Sequence, residues 1–178
     1  MLKSFITFAH AKSIYDIPVD FYSVNKVKTL LVDLDNTLDS YKLFTPTERA
    51  KELIVKINAT GVKVVIISNN RGKRVSTYAK AIPVDYISSA KKPFPGVIKR
   101  YLKDNNLSTD DVMFVGDQMM TDVLATHGAH VRMILTEKIV KEDQFTTHIN
   151  RIFGRPIRKY HMKRDNIPDW STFYGKGN

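Results

Sequence analysis

The run Thr29-Leu30-Leu31-Val32 passes directly into Asp33-Leu34-Asp35-Asn36-Thr37-Leu38-Asp39, and no other stretch limits the fold so tightly. Lys28 precedes an apolar segment without polar alternation, and carboxylates end it. Such a segment suits a strand buried on both faces, as in a parallel sheet covered by helices on either side. Side chains two apart on an extended chain point the same way. Asp33, Asp35 and Thr37 are therefore placed to converge just beyond the strand's C-terminal end, where open α/β sheets bind ligands.

Neighbouring carboxylates repel unless a cation or a shared proton compensates, so the pair points to a divalent metal or to two carboxyls with separated pKa values. A solvated turn is the plainer alternative. A calcium loop of the EF-hand type is excluded, because Leu38 stands where that loop needs glycine and Phe44 where it needs the bidentate glutamate.

Further strands follow, each separated from the next by one helix. Thr45 as cap, Pro46 and Glu48 predict a helix to residue 59, ended by Gly61. A strand over 62–67 closes on Ser68-Asn69-Asn70; a helix over 72–80 and a short strand over 84–87 come next. Pro95 opens a helix that Asn105 and Asn106 close, and a fourth strand over 112–115 leads to Gly116-Asp117. A helix over 120–126 and a strand over 130–135 complete the pattern. The economical fold is α/β: a three-layer, Rossmann-like parallel sheet of about five strands with helices on both faces.

At 178 residues one domain with tails is expected: an arm over 1–26, a catalytic domain over 27–150 and a basic tail over 151–178. Leu2, Phe5, Ile6 and Ala9 have the spacing of a short amphipathic helix, read either as packed on the domain or as lying at a membrane interface. The tail interleaves Arg151, Arg155, Arg158, Lys159, Lys163 and Arg164 with Ile152, Phe153, Ile157 and Tyr160. It suits a solvated or core-covering segment as well as a patch for RNA or lipid. A net charge of +10 favours an anionic partner without choosing one. The absence of cysteine excludes disulfides, thiolate metal sites and a cysteine nucleophile, and suits a reducing cytoplasm. No signal peptide and no membrane span are expected.

Four strand ends thus carry the groups a phosphoryl-transfer site needs: Asp33 with Asp35, Ser68 with Asn69, Lys91-Lys92 before Pro93, and Gly116-Asp117 with Asp122. Taken together, in this order, they resemble the haloacid dehalogenase superfamily of phosphatases, specifically the type IIIA phosphatases related to mitochondrial phosphatidylglycerophosphate phosphatases. The likeness spans residues 13–135. The family's lysine directly precedes its proline, which selects Lys92 over Lys91.

The resemblance implies that Asp33 attacks phosphorus to form an aspartyl phosphate, while Asp35 serves first as general acid and then as general base. It also implies Mg²⁺ on the carboxylates of Asp33 and Asp117 and the backbone carbonyl of Asp35, with Asp122 behind them. Ser68 and Lys92 would contact the phosphoryl group, supported by Asn36, Thr37 and Asn69. Many members carry a cap domain, but the spacings here leave room for none. An open site suits a large substrate such as phosphatidylglycerophosphate, met in the cytoplasm or peripherally on an anionic phospholipid surface. The competing readings are a nucleotide or sugar phosphatase, and a fold that binds RNA or a ribosome-associated partner.

Overall fold

The computed structural model describes residues 2–140 and 150–174. The apolar run forms β2 (Thr29–Asp33), buried at every position as continuous hydrophobicity requires. It lies inside a six-stranded, wholly parallel sheet. Its other members are β1 (Ala9–His10), β3 (Lys63–Ile67), β4 (Asp85–Ile87), β5 (Val112–Gly116) and β6 (Arg132–Leu135), in the spatial order β1-β6-β5-β2-β3-β4.

Alternate residues of the strands feed opposite layers. Leu30, Val32, Val64, Ile66, Met113 and Val115 pack with α1 (Phe21–Val24), α2 (Glu48–Ala59) and α3 (Gly72–Ala79). Leu31, Val65, Ile67 and Phe114 pack with α4 (Gly96–Asp104) and α5 (Leu124–Ala129). The result is the three-layer α/β fold, with one strand more than the periodicity suggests.

The extra strand is β1. Residues 2–9 do not form an amphipathic helix: Leu2–Phe5 make one 3-10 turn, and Ala9–His10 pair with Ile134 and Leu135. Two residues are too few to show a period, so no strand signal was available. The helix α2 begins two residues later than its Thr45 cap predicts, because Thr47 caps it by accepting from Ala50 N. Asp39 selects that register. Its carboxylate accepts Thr47 N at 2.9 Å, Thr47 Oγ1 at 2.9 Å and the buried Tyr78 hydroxyl at 2.5 Å. The expected helix over 120–126 opens as a wider π-type turn, Met119–Val123, before α5.

Part of the C-terminal segment packs on the domain. After α6 (Arg155–Lys163), Ile167 is buried, His10 N donates to Pro168 O at 2.8 Å, and Phe173 stacks on Phe8 with ring centroids 4.2 Å apart. Trp170 meets Phe21 edge to face. Residues 167–173 thus help cover the core, whereas Ile152 and Phe153 are exposed, as are the basic side chains Lys159 and Lys163 on α6 and Arg164 just after it. The Arg151 side chain and residues 141–149, which abut the expected boundary at 150, lie outside the described residues.

Candidate active site

Parallel registry places three strand ends side by side: Asp33 lies opposite Ile67, which precedes Ser68, while Val32 lies opposite Val115, which precedes Gly116-Asp117. Strand order alone therefore brings distant polar residues to one edge. Between β2 and α2 there is only the loop 34–47. Between β3 and Lys92 the only helix is α3, of eight residues, and the only strand is β4, of three. Among the described residues no cap domain covers that edge.

Lys92 is the centre of the charge arrangement. Its Nζ lies 2.6 Å from Asp33 Oδ1 and 2.7 Å from Asp122 Oδ1, with all three side chains at most 5% exposed. Lys91, by contrast, is exposed at φ 55°. Asn69 holds the lysine's backbone from both sides, donating to Lys92 O at 2.8 Å and accepting from Lys92 N at 2.8 Å. Its amide thus positions Lys92. Gly116 matters for a steric reason. A Cβ there would sit 2.5 Å from Asp122 Oδ2 and 2.8 Å from the Phe114 ring, so a side chain would displace the buried acid. Asp122 Oδ2 is further held by Gln118 N at 3.0 Å.

Asp117 completes an acidic trio. Carboxylate oxygens of Asp33, Asp117 and Asp122 all lie within 4.8 Å of one another, and Thr37 Oγ1 donates to Asp117 Oδ1 at 3.4 Å. Three acids against one ammonium leave the site short of positive charge. Burial drives the Asp33 carboxyl well above the ordinary carboxylate range; Lys92 opposes this, and Asp122, Asp117 and Asp35 add to it. Burial and Asp122 push Asp117 up to about 7 against Lys138 and Lys92. For Lys92 burial works against the charge, but Asp122 and Asp33 prevail and hold its pKa above the usual value.

A divalent cation fits these residues. Among the described residues, Asp33 Oδ2 and Asp117 Oδ2 are buried oxygens that accept no hydrogen bond. Buried carboxylate oxygens left unmatched beside one another are costly, and a hard, oxygen-seeking cation would satisfy both.

Asp35 faces elsewhere. Its carboxylate accepts from Ser68 Oγ at 3.2 Å and Asn70 Nδ2 at 2.7 Å, and pairs with Arg74 from α3. It does not join the trio, so any part in holding a metal falls to its backbone carbonyl. Asn36 is buried at φ 68° in the turn, and its N donates to Asp39 O at 2.7 Å.

Two participants escaped the sequence reading. Arg74 and Asn70 both grip Asp35, yet an arginine one turn into a helix and an asparagine after a strand carry no spacing signal of their own. Only the approach of α3 to the loop after β2 reveals them.

The sequence profile of the haloacid dehalogenase-like hydrolases matches residues 2–136. The chain belongs to that family. Within the haloacid dehalogenase-like hydrolases it is similar to the Bacillus subtilis (strain 168) protein named Probable phosphatase YqeG, 31% identical over 165 residues that cover 93% of this chain and 96% of that protein. Solved structures share the fold. One assigned as a 3-deoxy-D-manno-octulosonate 8-phosphate phosphatase from Vibrio cholerae has a TM-score of 0.53 at 14% identity, over 67% of this chain and 72% of that one. A subfamily III A haloacid dehalogenase hydrolase structure from Legionella pneumophila has a TM-score of 0.50 at 14% identity, over 88% of this chain and 93% of that one.

Proposed function

We propose that this chain is a Mg²⁺-dependent phosphomonoester hydrolase with Asp33 as nucleophile, acting on phosphatidylglycerophosphate or a similarly large phosphorylated substrate. Phosphatase activity is supported by the family and by the Bacillus subtilis relative. The observation that carries the reading is the asymmetry of Asp33: Lys92 holds one oxygen at 2.6 Å, while the other is buried, accepts no hydrogen bond among the described residues, and lies beside Asp117. A carboxylate that is to hold a cation and attack phosphorus needs this combination of fixed orientation and uncommitted oxygen lone pairs.

In this reading Asp33 attacks phosphorus in line, the P–O bond to the alcohol breaks, and an aspartyl phosphate remains. Asp35 gives its proton to the departing alkoxide and later takes one from the water that cleaves the aspartyl phosphate. Its pairing with Arg74 supports the half of that cycle in which it acts as base. Ser68 and Lys92 hold phosphoryl oxygens. The carboxylates of Asp33 and Asp117 and the carbonyl of Asp35 would hold Mg²⁺, which when bound supplies the positive charge that the site lacks.

The uncapped edge supports a large substrate. Phe44, in the loop after β2, is 62% exposed, and Phe94, two residues after Lys92, is 71% exposed. Aromatic side chains of this kind, with the net charge of +10, suit peripheral contact with an anionic membrane. Among the described residues no helix is long and apolar enough to cross one.

The test is a panel of lipid, nucleotide, sugar and polynucleotide phosphates with Mg²⁺, alongside an aryl phosphate. Asp33→Asn is expected to abolish turnover on all of them while remaining folded. Asp35→Asn is expected to slow natural substrates strongly but to show a burst with the aryl phosphate, whose leaving group needs no proton. Normal turnover by folded Asp33→Asn would sink the mechanism.

A further inference from the structure

Next to Asp117 the surface dips into a recess of about 230 Å³, walled by the loop after β5, the segment after β6 and the start of α6. Gln118 and Met119 form part of its lining, and Lys138, Arg155 and Arg158 bring three cations to it, against the acids Asp117 and Glu137. A liquid water occupies roughly 30 Å³, so the space accepts a small polyatomic group rather than a single solvent molecule. Arg158 is half-buried and anchored, donating from Nη1 to Thr136 O at 2.8 Å. A guanidinium carries about five N–H donors in a rigid fork, so this one bond orients the group and leaves it capable of bidentate recognition. Glu137 and Asp117 both act on its charge, and Lys138 acts on that of Asp117, so these two cations face the acidic side of the recess. Asp117 borders both the recess and the site of Asp33, whose carboxylate lies within 4.8 Å of its own.

We propose that this recess is a subsite for a second anionic group of the substrate, a phosphodiester or a carboxylate, joined by a short linker to the phosphomonoester that Asp33 attacks. The inference rests on the reading of Asp33 as the nucleophile. Electrostatics supports it. Lys138 already offsets charge on Asp117, yet the recess still sets three cations against two acids. A bound anion in the recess would meet charge-assisted donors in a partly enclosed setting, where they are strongest. The chain would then select by distance between two charges, which an uncapped site otherwise has few means to do. Arg158 is the specificity-determining residue, with Lys138 beside it.

The experiment compares kcat/KM with Mg²⁺ for four soluble compounds: an aryl phosphate, glycerol 3-phosphate, a phosphoglycerate, and a glycerol phosphate bearing a methyl phosphodiester on the adjacent carbon chain. One or both two-anion compounds are expected to exceed glycerol 3-phosphate by about tenfold or more, chiefly through KM, the scale of one charge-assisted hydrogen bond. Which of the two gains decides between carboxylate and phosphodiester. Arg158→Gln and Lys138→Gln are each expected to collapse that ratio, and Arg158→Lys to restore part of it. Lys138→Gln leaves the Thr136 bond in place, so the test does not depend on how Arg158→Gln folds. Equal kcat/KM for one- and two-anion compounds in the unmodified protein overturns the subsite. So does a ratio unchanged in the folded Lys138→Gln and Arg158→Lys proteins. Failure to hydrolyse even the aryl phosphate overturns the parent reading, a distinct result.

Discussion

Arg74 on α3 is paired with the carboxylate of Asp35, 39 residues earlier in the chain, and the same guanidinium donates to the carbonyl of Leu43. One side chain thus ties a candidate catalytic acid to the loop that borders it. Phe44 lies next along that loop, with the guanidinium 5.6 Å from its ring centroid.

Arg74→Ala is therefore expected to loosen residues 40–44 without unfolding the domain. Amide exchange in that loop should rise while β2 and β3 stay protected. The rate on substrates with poor leaving groups should fall about tenfold, since the orientation of Asp35 is lost. Unchanged exchange across 40–44 would show that the loop is held by other contacts.

Metal removal should abolish hydrolysis, and Mg²⁺ should restore it. Occupancy at about 100 times Kd stabilises by about 2.7 kcal/mol, which for a chain of this size raises Tm by roughly 5–10 °C. Asp117→Ala should remove most of that rise and increase the Mg²⁺ needed for activity. Full activity in excess chelator would refute the metal site.

Lys92→Met leaves the buried Asp33 and Asp122 without their counter-ion, 2.6 and 2.7 Å away in the intact protein. Breaking a buried pair this way costs about 3–5 kcal/mol, measurable by urea unfolding. Lys91→Met, at an exposed position, should change stability by no more than about 0.5 kcal/mol and leave turnover alone. Reversed results would assign the functional lysine to Lys91.

The turn before β5 gives a pH prediction. Hydrogen bonds from Lys28 and Ser108 lower the Asp111 carboxyl from its ordinary value to about 2. A carboxyl depressed in the folded state adds stability above its unfolded pKa and loses it as pH falls through the folded one. The stability difference between the intact protein and Asp111→Asn should be full at pH 7 and shrink between about pH 4 and 2. A difference constant across that range would show that the bonds contribute nothing ionic.

The sheet and the chemistry were legible because both rest on local pattern. Unbroken apolar runs such as 30–32 and 112–115 mark buried strands, and carboxylates at their ends mark a ligand edge. What the pattern could not carry was approach in space. Arg74 meets Asp35, and Asn69 clamps Lys92, only because α3 and the loop after β4 return to the end of β2. The capping of α2 was missed for the same reason: Asp39 and Tyr78 choose Thr47 from a distance. Likewise β1 is held by its partner β6 and by the C-terminal residues rather than by any period of its own.

That last arrangement bears on how the molecule is made. Synthesis runs from the amino terminus, so β1 emerges first, while its neighbours on either side, Leu135 and Pro168, emerge far later. The apolar side chains near the start of the chain, Phe8 and Phe21 among them, must wait for Phe173 and Trp170 before they are covered. The central strands can assemble during translation, but the edge closes only once residues 168–173 have been made. A ribosome stalled before residue 168 would hold a nascent chain with its sheet built and its border open, a substrate for chaperones and proteases rather than a finished protein.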